Sequence, residues 1–234
     1  MKYVESNLNI SRHFSDGTVY LLNKYKQSLE GSSKEVPQYL PEIGLALYTK
    51  EITKYLSFNM NLTGTNFWRE EGQYGQRIDI YPNVYLSTGR IFKFAQRVGV
   101  RETAYVLKNP AKNPHREIFD LESTLTMGLF KKYPSFTHLI EPSLEYAYIP
   151  RVDHSDITVF DSVDSIPQIS DITYSLTNRF FSEDESSGAT FRVSQTYSFL
   201  NIEKPFKPLL VEARFSNRRL DLSAKVLGDE LQKL

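Results

Sequence analysis

Two glutamates four residues apart, Glu141 and Glu145, form the most evident candidate for a catalytic pair. They lie in the alternating run HLIEPSLEYAYI at residues 138–149. Glycosidases hold two carboxyl groups about 5–5.5 Å apart for retention, or roughly 6.5–9.5 Å apart for inversion. Along one extended strand, four residues separate these carboxylates by roughly 13 Å. We therefore expect the two glutamates to lie on a hydrated face of the strand, matched by Arg or Lys on a neighbouring strand. Either glutamate could still pair with a carboxylate across the sheet.

A second group of candidate ligands for a divalent cation lies in the polar segment at residues 150–171. Its members are Asp153, His154, Asp156, Asp161, Asp164 and Asp171. Their spacing does not follow the calcium-loop pattern D-x-[DN]-x-[DN]-G, so we interpret the segment as a solvated loop without a metal. The other histidines are scattered, and no Walker A, G-x-S-x-G or G-x-G-x-x-G motif is present. The sequence thus predicts that the protein is not an enzyme and that it binds neither a metal nor a cofactor.

The composition excludes several other classes of function. Lys+Arg and Asp+Glu balance at 28 each, so no overall basic field favours nucleic acid. There are no cysteines, which excludes disulfides and thiolate metal sites. No apolar leader begins the sequence and no run approaches 18 apolar residues, so neither a signal peptide nor a transmembrane helix is predicted.

Strands must position the charged residues, because apolar and polar residues alternate along almost the whole sequence. The predicted strands cover residues 17–29, 41–50, 55–66, 76–86, 92–105, 117–130, 138–149, 172–182, 189–199, 208–216 and 219–227. Many have ten residues or more, whereas soluble strands usually have about five or six. A strand that crosses a membrane needs roughly 9–11 residues. The pattern therefore predicts an all-β, antiparallel, up-and-down transmembrane β-barrel segment of about ten or eleven strands.

Alternation assigns residues to two faces of these strands. The polar face, expected to line a lumen, carries Asn59, Asn61, Arg77, Asp79, Arg101, Glu122, Glu141, Glu145, Arg179 and Arg192. The apolar face, expected to contact lipid, carries Leu56, Phe58, Met60, Leu62, Ile78, Ile80, Phe119, Leu121, Leu125, Met127, Ile140 and Leu144.

The connections between predicted strands have two lengths. Tight turns are predicted at residues 51–54 and 87–91. Long polar loops are predicted at residues 30–40, 106–116, 150–171 and 182–188, and a short helical tail at residues 229–234. Short turns at one end and long loops at the other are typical of outer-membrane barrels.

Two prolines fall inside predicted strands, and each removes a backbone donor from the sheet. Pro82 and Pro142 therefore predict either a bulge or weakened pairing, or else the end of a strand.

Several longer runs together resemble a known family. They are the segment from VPQYLPEIGLALYTK to IYPNVYL at residues 36–86, then VGVRETAY, IFDL, HLIEPSLEYAYIP, FDSVDSI, YSLTNRFF and SQTYSF. In this order and spacing they resemble an internal part of the C-terminal β-barrel domain of the LptD family. These are lipopolysaccharide-assembly outer-membrane proteins, also called organic solvent tolerance proteins. The resemblance covers about residues 35 to 228.

The resemblance implies a translocon of the Gram-negative outer membrane that inserts lipopolysaccharide into the outer leaflet. In this family an N-terminal jelly-roll domain receives lipopolysaccharide from periplasmic bridge proteins, and an LptE-like lipoprotein plugs the lumen. The resemblance therefore implies that some of the polar-face residues contact the plug. The lipid leaves between the first and last strands, and no bond is made or broken. The family's cysteines are absent from this chain, so its disulfide control cannot be placed on these residues.

Residues 1–234 then correspond to one partial barrel domain, without signal peptide, jelly-roll or closing strands. Unpaired sheet edges are costly in lipid, so we expect this piece alone not to insert stably. Two alternatives remain open from the residues themselves. One is a general outer-membrane porin or receptor, and the other is a soluble β-sandwich that binds carbohydrate.

Overall fold

A computed structural model of the chain describes residues 3–153, 155–184 and 186–228. In these ranges the regular structure consists of strands, and no helix is long and apolar enough to cross a membrane. The predicted tail at residues 229–234 and the candidate ligand His154 lie outside the described ranges. The strands are β1 (Tyr3–His13), β2 (Gly17–Ser28), β3 (Gln38–Glu51), β4 (Leu56–Trp68), β5 (Tyr74–Thr88), β6 (Phe92–Lys108), β7 (His115–Met127), β8 (Leu129–Lys132), β9 (Phe136–Ile149), β10 (Ile169–Ser182), β11 (Ser187–Ser198), β12 (Leu209–Asn217) and β13 (Asp221–Gly228).

The strands form one sheet in chain order, with β8 paired beside β9. This confirms the predicted all-β, antiparallel, up-and-down architecture. The strand count is thirteen among the described residues, and not ten or eleven. One extra strand is β1, whose polar residues Ser6, Asn7 and Asn9 weaken the hydrophobic signal. The other arises because the predicted strand 117–130 is divided at Gly128 into β7 and β8.

Connections at the two ends of the strands differ in length. Residues 14–16, 52–55, 89–91, 133–135, 183–186 and 218–220 form the short connections. Residues 29–37, 69–73, 109–114, 150–168 and 199–208 form the longer ones, which alternate with the short ones along the chain. The prediction of a long loop at 182–188 was wrong, because β10 and β11 continue to within four residues of each other. In the turn at 89–91, Gly89 has a φ of 100°, a conformation that side chains disfavour.

Along parts of β5 and β7, charged residues are buried and apolar residues are exposed, which is the reverse of the usual pattern in a water-soluble protein. In β5, Arg77 and Asp79 are 2% and 5% exposed, whereas Ile78 and Ile80 are 54% and 37% exposed. In β7, Arg116 and Asp120 are buried while Phe119 is exposed. We call the side of each strand that carries the predicted lumen residues the charged face, and the opposite side the apolar face.

The chain divides into two compact units. The first comprises residues 1–85, 98–120 and 150–168, and the second comprises residues 86–97, 121–149 and 169–234. The first unit contains the main hydrophobic cluster, formed by Tyr39, Phe67, Tyr105, Leu107, Ile157 and Phe160. Two of these residues belong to the connection between β9 and β10, so this loop contributes to the core of the unit.

Both prolines lie well inside strands, which eliminates the strand-end alternative. Pro142 pairs with Leu176 in an uninterrupted register with β10. On its other side, pairing stops after Thr126↔Ser143 and resumes in β8 at Leu129↔Ile140. The interruption lies opposite the residue that has no N–H, so Pro142 weakens the pairing locally and divides β7 from β8.

Candidate functional site on the charged face

An arginine–aspartate network lies on the charged face of the first unit. Arg77 Nη1 donates to Asp161 Oδ1 at 2.8 Å and to Asp164 Oδ1 at 2.9 Å, and Arg77 Nη2 donates to Asp161 Oδ2 at 2.8 Å. Arg77 is 2% exposed and Asp164 is completely buried. Buried charges are tolerated only when paired and hydrogen-bonded, and here the two terminal nitrogens of Arg77 are paired with carboxylates.

Further hydrogen bonds attach the β9–β10 loop to three other strands. Tyr39 of β3 donates to Asp161 at 2.9 Å, and Tyr105 of β6 donates to Asp164 at 2.5 Å. Arg116 of β7 donates to the Asp164 carbonyl at 2.9 Å and to the Val163 carbonyl at 2.5 Å. The loop is therefore fastened across β3 to β7 by side chains from the charged face.

Aromatic contacts reinforce the same attachment. The Phe160 ring of the loop stacks on Phe67 of β4, with centroids 4.3 Å apart and planes at 5°. Tyr39 contacts Phe67 edge-on at 5.1 Å, and the Arg77 guanidinium lies 4.8 Å from the Phe67 centroid. Stacked rings and a desolvated cation over a ring are favourable arrangements beyond their area of contact.

Half-buried Asp161 and fully buried Asp164 correct one interpretation made from the sequence. The segment is not simply solvated, because Asp161 and Asp164 are the loop's anchors. Burial alone would raise the pKa of Asp161, but hydrogen bonds and charge attraction from Arg77 lower the pKa below its ordinary value of 3.8. Among the residues that the structure describes, no three His, Asp or Glu side chains cluster as a metal site would require.

Other polar pairs continue along the charged face of the first unit. Arg101 Nε lies 3.5 Å from Asp79 Oδ1, which also accepts a hydrogen bond from Thr103 at 3.3 Å. On β3, Glu42 accepts hydrogen bonds from Tyr20 at 2.9 Å and from Thr65 at 2.7 Å. Cross-strand polar bonding thus compensates the burial of charges on several neighbouring strands.

The glutamates of residues 138–149 behave differently from each other. Arg179 Nε lies 2.6 Å from Glu141 Oε2, so the predicted cationic match is present there. None of the ion pairs formed by the described residues includes Glu145. Across the sheet, Glu141 faces Thr177, and Glu145 faces Thr173 on one side and Thr124 on the other. The directly opposite positions hold threonine, and none supplies the second carboxylate that a dyad requires.

A cavity of about 530 Å³ lies on the charged face of the second unit. Its cationic lining comes from Arg179, Arg192, Arg214 and Lys225, and its acidic lining from Glu141 and Glu212. Between these groups the wall consists of small residues, among them Ser175, Thr177, Thr190 and Ser223. Small side chains between charged ones leave an open recess, which longer side chains would fill.

The residues predicted for the polar face occur in both units. Arg77 belongs to the network below the loop, and Asp79 pairs with Arg101. On β4, Asn59 donates to Tyr85 at 3.2 Å, and Asn61 is exposed. Glu122 pairs with Arg97 at 3.2 Å, whereas Glu141, Arg179 and Arg192 line the cavity. Their common lumen role remains a proposal.

The residues predicted for the apolar face are exposed or half-buried. The exposed ones are Ile78, Ile80, Phe119, Leu125 and Leu144. The half-buried ones are Leu56, Phe58, Met60, Leu62, Leu121, Met127 and Ile140.

The sequence reading did not identify the residues that hold the loop. They are Tyr39, Phe67, Tyr105, Arg116 and Phe160, together with the anchoring role of Asp161 and Asp164. One signal was available in the sequence. An arginine, two tyrosines and a phenylalanine lie on the side of their strands that is expected to be buried, and such side chains need partners. Their partners lie far away in sequence, so spacing alone could not supply them.

Comparison with known proteins assigns the chain to a family. The family model described as LptD, LPS transport system D, matches residues 2–227. The chain is also 25% identical over 214 residues to the LPS-assembly protein LptD of Methylococcus capsulatus. That alignment covers 78% of this chain and 21% of the relative, so the chain corresponds to about one fifth of the relative's length. The long alternating strands, the charged face and the family match together show that the chain belongs to the LptD family.

Proposed function

We propose that this chain forms part of the wall of an outer-membrane translocon that inserts lipopolysaccharide into the outer leaflet. Its apolar face contacts membrane lipid, and its charged face borders an aqueous lumen. The chain acts by providing a path and makes no covalent change in its cargo. An LptE-like lipoprotein in the lumen and periplasmic bridge proteins are its proposed partners.

The observation that carries this proposal is the reversed burial along parts of β5 and β7. Arg77 and Asp79 are buried between apolar neighbours that are 54% and 37% exposed. In water this arrangement would expose apolar side chains along many successive strands, which soluble monomers avoid. In a membrane barrel the apolar band faces lipid and polar residues face inward. Family membership, with a relative whose name refers to LPS assembly, supports lipopolysaccharide as the cargo.

Adjacent residues on β4 allow a test with matched positions. A photo-crosslinking amino acid is placed at Asn61 or, in a separate variant, at Met60, in the whole protein as it occurs in its outer membrane. With transport active, we expect lipopolysaccharide adducts at Asn61 that disappear when transport is stopped. At Met60 we expect adducts with bulk membrane lipid that do not depend on transport.

The result would contradict the proposal if Asn61 formed no transport-dependent adduct, or if Met60 reacted only with soluble reagents. A general porin or receptor is distinguished by the same experiment together with ion conductance. It would conduct ions through the lumen, and Asn61 would form no transport-dependent lipopolysaccharide adduct.

A further inference from the structure

The cavity on the charged face of the second unit contains two cations that share one carboxylate. Arg192 of β11, Glu212 of β12 and Lys225 of β13 face one another directly across the sheet. The Arg192 Nη1 to Glu212 Oε2 distance is 3.8 Å, and the Lys225 Nζ to Glu212 Oε1 distance is 3.7 Å. Both distances exceed hydrogen-bonding range, so Glu212 attracts the two cations without satisfying their donors.

The other cations of the cavity have closer partners. Arg179 lies 2.6 Å from Glu141, and Arg214 donates from two nitrogens to the carboxylate of Asp221. Among the described residues, Glu212 is the only carboxylate within ion-pair distance of Arg192 and Lys225. The pair therefore retains an excess positive charge and free donors that line the cavity. Arg and Lys donors in this state favour a phosphate, which accepts several charge-assisted hydrogen bonds.

The wall around this pair suits a sugar. Thr177 lies opposite Arg192 on β10, and Thr190 and Ser223 lie on the next row of β11 and β13. Hydroxyl groups of this kind donate to and accept from sugar hydroxyls. The volume of about 530 Å³ falls within the range of roughly 300–1,000 Å³ that is common for ligand sites.

We propose that the cavity binds a phosphorylated sugar, with Arg192 and Lys225 holding the phosphate and the serine and threonine hydroxyls holding the ring. The ligand is the phosphate-bearing saccharide of the transported lipid, so this inference rests on the proposed function. The site holds the saccharide temporarily on the charged face, because the partly exposed cations bind it without enclosing it.

Crosslinking at neighbouring positions of β13 tests the location of the site. The photo-crosslinker is placed at Ser223, which lines the cavity, or at Leu222, which lies on the opposite face and is 56% exposed. We expect transport-dependent lipopolysaccharide adducts at Ser223 but not at Leu222. Excess glucosamine phosphate should reduce the Ser223 yield, and unphosphorylated glucosamine should not. Equal competition by the two sugars would show that phosphate is not recognised.

Charge variants test the proposed role of the two cations. In the double variant Arg192→Gln, Lys225→Gln we expect the Ser223 adduct to fall about tenfold, since each charge-assisted bond is lost. With lipopolysaccharide from which phosphate has been removed, the variant and the parent should give the same low yield. A variant with Arg192→Lys in place of Arg192→Gln should recover part of the Ser223 adduct yield. Arg219→Gln, in the neighbouring turn, is the control. An unchanged yield in the folded double variant would overturn the proposal.

The two proposals fail in different ways. If Asn61 forms transport-dependent adducts while Ser223 does not, the translocon function stands and the saccharide site is refuted. If neither position forms adducts, both proposals are refuted. Heat-modifiable migration on gels, measured for every variant, confirms that an absent adduct reflects lost binding in a folded protein.

Discussion

Arg77 and Asp164 are 87 positions apart in the sequence, yet a 2.9 Å hydrogen bond joins their side chains. Arg77 is on strand β5, and Asp164 is in the long connection between β9 and β10. The bond places this connection against the charged face of the first unit. A segment that looks like a solvated loop is therefore part of the packed structure.

Breaking this pair from the strand side should release the loop. Arg77→Gln leaves the buried carboxylate of Asp164 without its cationic partner, and such a loss costs about 3–5 kcal/mol. We expect faster protease cleavage within residues 150–168 and a matching decrease in the free energy of unfolding in urea. Lys34→Gln is the control, because Lys34 and Glu71 form an exposed pair at 3.4 Å, worth about 0–1 kcal/mol. Similar effects of the two substitutions would refute an anchoring role for Arg77.

Acid should release the loop in a defined range of pH. The folded-state pKa of Asp161 lies below its ordinary value of 3.8. The stabilisation from its anion is therefore complete above that value and is lost as the pH falls through the lower folded-state pKa. Pepsin cleavage of the loop should increase over that interval. Asp161→Asn removes the titrating group, so its cleavage should be high throughout, and a parental pH profile in that variant would contradict the assignment.

The stacked rings provide a second anchor that is independent of charge. Phe67 is fully buried against Phe160, whereas its neighbour Trp68 is 44% exposed on the apolar face. Phe67→Ala should lower the free energy of unfolding by about 3–5 kcal/mol, as is usual for buried phenylalanine. In detergent, Trp68→Ala should lower the free energy of unfolding far less, because the exposed Trp68 ring lies against apolar detergent. Thermal unfolding of the two variants shows which substitution is more destabilising. A larger loss for Trp68→Ala would place Phe67 on the apolar face and contradict the prediction.

Charge insertion tests the orientation of β4 in the membrane. Met60→Arg puts a cation on the apolar face and should cost about 2–4 kcal/mol if that position lies near the bilayer midplane. Asn61→Arg, on the charged face and exposed, should be nearly silent. Folding of the whole protein that carries each substitution into lipid vesicles, followed by urea titration, measures both. Equal costs at the two neighbouring positions would contradict a membrane boundary between the faces.

The sequence by itself determined the class of fold, and local physics explains why. Side chains on a strand alternate between two faces, so the runs around Phe58, Ile78 and Leu125 were visible without any structure. The lengths of those runs indicated a membrane, and the ordered motifs indicated the family. Pro142 also predicted locally weakened pairing, since the missing N–H is a property of the residue itself. The dismissal of a dyad within residues 138–149 depended only on the rise per residue of a strand.

The tertiary structure alone decided which strands meet the long loop and where charge is left over. Asp164 gives no sign in the sequence that it will be buried, because its partners on β5 and β6 come from distant positions. The shared use of Glu212 by Arg192 and Lys225 likewise depends on the register of three strands. Alternation fixes the face on which a side chain lies, whereas register and loop path fix its neighbours. Charged groups act through their neighbours, and so the candidate sites became visible only in the folded chain.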